Sequence, residues 1–445
     1  MNKKAGVCCI VLLMLVFICF GTEVSATGKE KQETVKILLV GNSLTKYGSH
    51  EKGRTVESHL KKMTQASGKK VVIKTIAHGG ARLKYWADDY KAEFLHALTQ
   101  EEWDYVVLQE YSKTPYLHYE IDTVPAVKWL KQKIEKEVPK AKILLYMPHG
   151  YDYSYRGAEG KIFLTGEEMT YYTGAAHARL EAQYGIEVIA SGLRFYRARL
   201  LYPDLQLLGK DNWHPTKKGY FLAASCIYYQ IFDEKPLLKK SVRKHAGITR
   251  GEGKRLLALL DDELASVKVT KSISVGESFF MEVTEKSKKG KPGVAEGGIT
   301  DVRFRSLQPD VAVADEITGE VKAVGSGQAV IVAETADGVL AFCTVFAEYP
   351  KVTGIKKEVV AVDGNKKIRV QLTWNQVPGA TYRIYRAAKK NGNYKLLATV
   401  AENGYTDKTA AASYTWYYKI VTLDGKTFCE HRASKAIKVK VNGKD

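Results

Sequence analysis

Two short segments, one around residue 43 and one around residue 214, carry side chains suited to acyl transfer. Gly41-Asn42-Ser43-Leu44-Thr45 supplies a hydroxyl; Asp211-Asn212-Trp213-His214-Pro215 supplies a carboxylate and an imidazole three residues apart. A serine hydroxyl is too weak an acid to attack an ester unaided at neutral pH. It needs a base within hydrogen-bond reach, and histidine, with an ordinary pKa near 6.5, suits that task. A carboxylate beside the base fixes its tautomer and stabilises the imidazolium. Each residue alone has a plainer reading: Ser43 as a turn or helix-capping residue, His214 as a packed ring, Asp211 as a solvated acid.

The pieces meet only if the surrounding elements carry them together. Val35-Lys36-Ile37-Leu38-Leu39-Val40 is apolar but for Lys36 and ends at Gly41, the pattern of a buried strand. Thr55 to Gln65 places Val56, Leu60 and Met63 on one helical face. Further strand patterns lie at 71–76, 103–108, 142–147 and 186–189, and helical patterns at 92–98, 124–138, 167–184, 216–232 and 251–264. This alternation implies βα units and a mostly parallel sheet. Ligands of such sheets bind outside the carboxyl ends of the strands. Ser43 directly follows the first strand, and Thr216 is a suitable cap for the helix after His214.

Taken together, Gly41-Asn42-Ser43-Leu44 and Asp211-x-x-His214 resemble a divergent branch of the SGNH/GDSL hydrolase family over roughly residues 35–265. The resemblance implies a flavodoxin-like α/β/α sandwich with a parallel sheet. It implies Ser43 as nucleophile, His214 as base and Asp211 as its orienting acid, with no metal and no organic cofactor. The family has a glycine after the second strand whose N–H enters the oxyanion hole. Here Ile76-Ala77-His78-Gly79-Gly80 stands there, and Gly80 is the expected donor beside the Ser43 N–H. The family's Gly-x-Asn-Asp segment after the third strand is replaced by Leu108-Gln109-Glu110-Tyr111-Ser112. Gln109 is expected either to donate the third hydrogen bond through its amide or to be structural.

Trp213, His78 and His149 are candidate substrate contacts. Trp213 either stacks on a sugar ring or packs its loop down, and the two histidines are either contacts or merely solvated. Tyr151-Asp152-Tyr153-Ser154-Tyr155 looks like an exposed loop. No HExxH, EF-hand or P-loop pattern is found.

The N-terminus joins Lys3 and Lys4 to an apolar run from Val7 to Phe20, followed by Val24-Ser25-Ala26. This reads as a secretory signal peptide, residues 1–26, and the run is short of the ~20 residues that span a bilayer. A secreted protein, with wall association an option and no transmembrane segment after cleavage, is expected. With 68 Lys+Arg against 49 Asp+Glu the net charge is +19; losing Lys3, Lys4 and Glu23 leaves +18. Such charge draws a protein to anionic polymers or surfaces, or only aids solubility. No helix-turn-helix or zinc-finger spacing is present, so nucleic acid is not an expected partner. Three cysteines remain, Cys226, Cys343 and Cys429, too few and too scattered for a disulfide framework. Hydrophobic content of 45% and charged content of 26% exclude a mostly disordered chain or a collagen.

After the hydrolase-like domain (27–266) the helical pattern stops. Short Val/Thr/Tyr-rich runs between Gly, Asp and Asn turns read as all-β. Residues 267–349, with Ser306 to Ala314 and Gly319 to Gly327, resemble bacterial Ig-like (group 2) domains. Residues 350–445, with Leu372-Thr373-Trp374, Gly379 to Arg386 and Trp416 to Lys419, resemble fibronectin type III domains. Both are expected as spacers or as glycan-binding modules. The expectation is an exported serine esterase acting on acyl, chiefly acetyl, esters of a glycan or cell-wall polymer. The alternatives are a lipase-like acylhydrolase and a non-catalytic surface adhesion protein.

Overall fold

The computed structural model describes residues 33–48, 53–151, 155–156, 163–261, 263–286, 292–293, 301–362, 367–411, 414–424 and 430–441. The expected signal peptide, Asp152, Tyr153, Ser154 and Cys429 lie outside these residues.

A five-stranded parallel sheet organises the first half of the chain. Its strands are β1 (Val35–Gly41), β2 (Val71–Ala77), β3 (Tyr105–Gln109), β4 (Lys142–Tyr146) and β5 (Glu187–Ile189). They lie in the order β2-β1-β3-β4-β5, all parallel. That is the flavodoxin-like order. Helices cover both faces: α1 (Val56–Ser67), α2 (Lys91–Leu98), α3 (Val124–Glu137), α4 (Gly166–Tyr184), α5 (Ser191–Leu201) and α6 (Lys217–Phe232). Alternation along β1 divides the core. Ile37 and Leu39 pack with Val56, Leu60 and Met63 of α1 and with Tyr220 and Phe221 of α6. Leu38 and Val40 pack with Phe94 of α2, Val127 and Leu130 of α3 and Leu180 of α4. Each such aliphatic side chain contributes about 1.5–3 kcal/mol on leaving water.

Two differences from the sequence reading have physical causes. The last helix of this domain spans Arg250–Ala258, and Leu264–Ser266 is instead a strand paired with Val283–Lys286 of the following β module. Helix α5 gave no periodic apolar signal because its buried face holds Arg194 and Arg197. Arg194 pairs with Glu263 and Arg197 with Asp337, partners that only the tertiary fold supplies.

Among the described residues the first β module has two sheets besides the small one formed by Pro292–Gly293, Val283–Lys286 and Leu264–Ser266. One runs Arg303–Ser306, Gly327–Glu334, Leu340–Glu348, Thr270–Ser274; the other runs Ser278–Phe280, Glu320–Ala323, Ala312–Ala314. Ala329, Ile331 and Ala333 enter its own core, while Val330 and Val332 pack with Phe342 against Tyr171 and Ala175 of α4 and Tyr196 of α5. Gly174 permits this contact, since a Cβ there would lie 2.5 Å from the Phe342 ring. The Glu334 carboxylate accepts from the Tyr171 (2.9 Å) and Tyr196 (2.7 Å) hydroxyls. A cavity of about 100 Å³ remains in the seam, beside His177, Arg194 and Phe342.

The second module pairs Lys356–Val362, Lys367–Thr373 and Gly404–Asp407 in one sheet. The other sheet is built from Lys395–Val400, Ala380–Ala387 and Thr415–Asp424, with Glu430–Ala433 and Ile437–Lys440 at its edge. This is an antiparallel two-sheet β-sandwich. Its core gathers Trp374, Tyr382, Ile384, Tyr418 and Ile420.

Candidate active site

Gly41, the last residue of β1, sets the nucleophile turn. A Cβ there would sit 2.4 Å from Thr45 Oγ1 and 2.6 Å from Gln109 Oε1, so no larger residue fits. The Asn42 side chain braces the turn on both sides. Its Oδ1 accepts from the Leu44 N–H (3.0 Å) and its Nδ2 donates to the Ala81 carbonyl (2.9 Å), tying this turn to the glycine loop after β2. Ser43 is thereby presented at the carboxyl edge of the sheet, where β1 lies between its two neighbours. The Tyr220 hydroxyl of α6 donates to the Ser43 carbonyl from beneath.

The second loop is a tight reversal. Gly209 N–H donates to the His214 carbonyl (2.8 Å), and Asn212 turns the chain with a left-handed φ of 59°. Asparagine is one of the few side chains that adopt this region readily. Thr216 then caps α6, accepting from the Gly219 N–H at 3.3 Å. The reversal folds the Asp211 carboxylate back on its own loop. Its Oδ1 accepts from the Trp213 (3.1 Å) and His214 (3.0 Å) amides, and its Oδ2 lies 2.7 Å from His214 Nδ1. His214 Nε2 lies 2.9 Å from Ser43 Oγ. With Nδ1–H held by the carboxylate, Nε2 is the acceptor and the serine hydroxyl donates.

Burial holds the His214 pKa below its ordinary 6.5, while the hydrogen bond and charge of Asp211 pull the other way. Burial pushes Asp211 up, but the His214 ring and the two amides outweigh it, and its carboxyl stays below the usual range. The imidazole is therefore neutral, and the acid ionised, at neutral pH. Tyr47 packs its ring 4.5 Å from that of His214, and the Arg54 guanidinium covers Tyr47 at 3.9 Å.

In front of Ser43 opens a pocket of about 630 Å³. Gly79 and Gly80 form one wall, and Gly80 has a φ of 70° that favours glycine. Ser43, Gly80, Trp213 and His78 all line the pocket. His78 sits at the rim, with Nε2 2.7 Å from Glu93 and its ring stacked on Tyr90 at 4.2 Å. Trp213 packs its ring 5.6 Å from that of Tyr151. Tyr111 and Ser112 bring the third-strand loop to the pocket.

Two expected site residues lie elsewhere. Gln109 is buried, its Oε1 accepting from the Asn42 N–H (2.9 Å) and the Thr45 hydroxyl (3.0 Å), its Nε2 donating to the Glu110 carbonyl. Gln109 therefore braces the Ser43 turn from inside the protein and does not line the pocket in front of Ser43. His149 is also buried; its ring is stacked on Phe195 at 4.5 Å and its Nε2–H donates to the Trp213 carbonyl at 2.7 Å. Burial lowers its pKa to about 4, so it is a neutral strut for the catalytic loop. Next to Gln109, Glu110 accepts from the Leu83 (3.0 Å) and Tyr111 (2.6 Å) amides, and burial raises its pKa to about 7.

Sequence reasoning missed Asn42, Tyr47 and Tyr220. Asn42 lay inside the recognised motif, so its bracing role had a signal; Tyr47 and Tyr220 had none beyond proximity to the two motifs. Among the described residues no group of three or more His, Cys, Asp or Glu side chains forms a metal-ligand set.

No family model matches the sequence, and no curated protein matches it. Among solved structures, the chain is similar to a DUF4886 family protein from Bacteroides uniformis ATCC 8492: 18% identity, 51% of this chain and 93% of that one, TM-score 0.42. It is similar to an acetyl xylan esterase: 16% identity, 44% of this chain and all (100%) of that one, TM-score 0.35. It is also similar to a fibronectin type III-like protein from Clostridium thermocellum: 28% identity, 20% of this chain and 86% of that one, TM-score 0.17.

Proposed function

We propose that this protein is an exported serine esterase that removes short acyl groups, acetyl foremost, from a carbohydrate. The observation that carries the reading is the continuous hydrogen-bonded line from Asp211 through His214 to Ser43 at the mouth of an open pocket. His214 takes the Ser43 proton as the oxygen attacks the ester carbonyl. The tetrahedral oxyanion is held by the Ser43 and Gly80 N–H groups, each such donor being worth about 10²–10³ in rate. His214 then gives its proton to the leaving sugar alkoxide, and water repeats the sequence on the acyl-serine.

The pocket lining favours a short acyl group over a lipid chain. Leu44 and Ala77 are its only aliphatic members among the described residues, whereas Tyr47, Tyr111, Tyr151 and Trp213 supply aromatic surface with polar edges. Such surface suits a sugar ring. Hydrolysis of p-nitrophenyl acetate, compared with longer acyl chains, tests both points. Ser43→Ala and His214→Ala each lower kcat/KM by about 10³ or more, and octanoate is a poorer substrate than acetate. Wild-type activity in both variants would leave a binding protein in place of an enzyme, and a preference for long chains would leave a lipase. With the neutral imidazole as base, kcat/KM rises with pH to a plateau, its midpoint below 6.5.

A further inference from the structure

The positive charge of this chain is unevenly placed. Residues 350–445 hold 19 Lys and Arg against 7 Asp and Glu, a net +12, whereas residues 267–349 hold 9 against 12, a net −3. The second β module thus carries a net +12 in 96 residues, against +9 in the 240 residues 27–266.

Its larger sheet shows where that charge meets aromatic surface. Tyr382, Ile384, Tyr418, Ile420 and Val439 are buried on the inner side. The alternate residues point the other way. Tyr385 pairs across the strands with Lys419, and Tyr417 with Lys438. Paired residues of an antiparallel ladder share a face, so the outer face sets tyrosines beside lysines in neighbouring rows. The Lys419 ammonium lies 4.2 Å from the centre of the Tyr394 ring, and Arg383 continues the row on strand 380–387. Strands 380–387, 395–400 and 437–440 hold no Asp or Glu; the acids in this sheet's sequence are Asp424, which ends strand Thr415–Asp424, and Glu430, which opens edge strand Glu430–Ala433. The module's buried carboxylate, Asp407, is held inward by Arg386 at 2.6 Å and by the Tyr418 hydroxyl at 2.8 Å.

We infer that this outer face binds an anionic polysaccharide. Tyrosine rings offer flat surface to sugar rings, and Lys419 and Lys438 meet carboxylates or phosphates carried along the polymer. This face suits a polar polymer better than a lipid surface, because Leu396 is the large exposed aliphatic side chain of these strands among the described residues. The inference is independent of the esterase reading and gives the second module a tethering role on a charged polymer.

Affinity electrophoresis of the full chain through gels containing polygalacturonate, dextran or duplex DNA tests it. Polygalacturonate retards the protein, the effect weakens as salt rises, and uncharged dextran does not retard it. The K419E/K438E double variant, at two surface positions, loses about tenfold or more in affinity. The K268E/K322E variant changes the net charge equally on the first β module, at exposed positions, and keeps wild-type affinity. Tyr417→Phe keeps binding and Tyr417→Ala weakens it. Equal losses in both charge-reversal variants would reduce the effect to net charge and overturn the inference. So would equal retention by dextran, or tighter binding to DNA than to polygalacturonate. If K419E/K438E fails to fold by circular dichroism, K419Q/K438Q decides, with a smaller loss expected and none overturning the inference. Ser43→Ala binds the polymer as wild type does, so a failed esterase reading leaves this result standing.

Discussion

Strand 327–334 of the first β module buries both of its faces over residues 329–333, whereas strand 380–387 of the second buries one and leaves the other half-buried. In the first, Ala329, Ile331 and Ala333 fill the module's own core while Val330 and Val332 press against α4 of the α/β domain. In the second, core residues alternate with Arg383 and Tyr385. Two sandwiches of similar size thus differ in what their outer faces are for. Loss of the polar alternation marks a docked sheet, and its retention marks a sheet that keeps a face for solvent or ligand.

The sharpest way to break this contrast is to cut the chain. A chain ending at Glu348 keeps its activity on p-nitrophenyl acetate within about twofold, since the second module carries its own core. A chain ending at Glu263 exposes Tyr171, Ala175 and Tyr196; it aggregates on gel filtration and loses most of its activity. Equal behaviour of the two truncations would erase the distinction.

Point substitutions sharpen it. Phe342→Ala costs about 3–5 kcal/mol and lowers the melting transition of the α/β domain together with that of the first module. Trp374→Ala, of comparable cost, lowers only the transition of the second module and leaves esterase activity unchanged. Calorimetry separates these outcomes. Gly174→Val overpacks the seam against Phe342 and costs about 1–3 kcal/mol.

Acid has a smaller, graded effect. His149 and His177 are buried neutral in the α/β domain, with pKa values lowered to about 4 by burial. The unfolded chain protonates its histidines near 6.5, so their contribution is complete above that pH and is lost as pH falls from 6.5 toward 4. The transition of the α/β domain therefore drops by about 2 kcal/mol per histidine between pH 6.5 and 5, while the second module, held by the depressed Asp407 carboxyl, keeps its stability until pH falls below the ordinary carboxylate range. Smallest of all is Arg305→Ala, whose partner Glu167 lies across the seam with both side chains about half exposed; the loss is about 0–1 kcal/mol.

Much of this architecture is local enough to read in a single sequence. The apolar run of β1, the face of α1 and the Ser43 and Asp211-x-x-His214 segments follow from periodicity and residue chemistry. The role of Gln109 was not legible, because an amide has the same chemistry whether it braces a turn or meets a substrate, and only its burial distinguishes the two. Helix α5 was missed because Arg194 and Arg197 occupy its buried side, neutralised by acids from distant segments. The docking of the first β module was hidden for the same reason. Val330 and Val332 read as an ordinary buried strand until α4 is placed beside them.

The Tyr220 hydroxyl reaches from α6 to the peptide that bears the nucleophile, and α6 starts two residues after Pro215, the immediate neighbour of the base. Nucleophile and base, so distant along the chain, are thus moored to a single rod. A shift of that rod moves both together and keeps their separation nearly constant, so alignment for proton transfer withstands motions that would pull two independently mounted loops out of step.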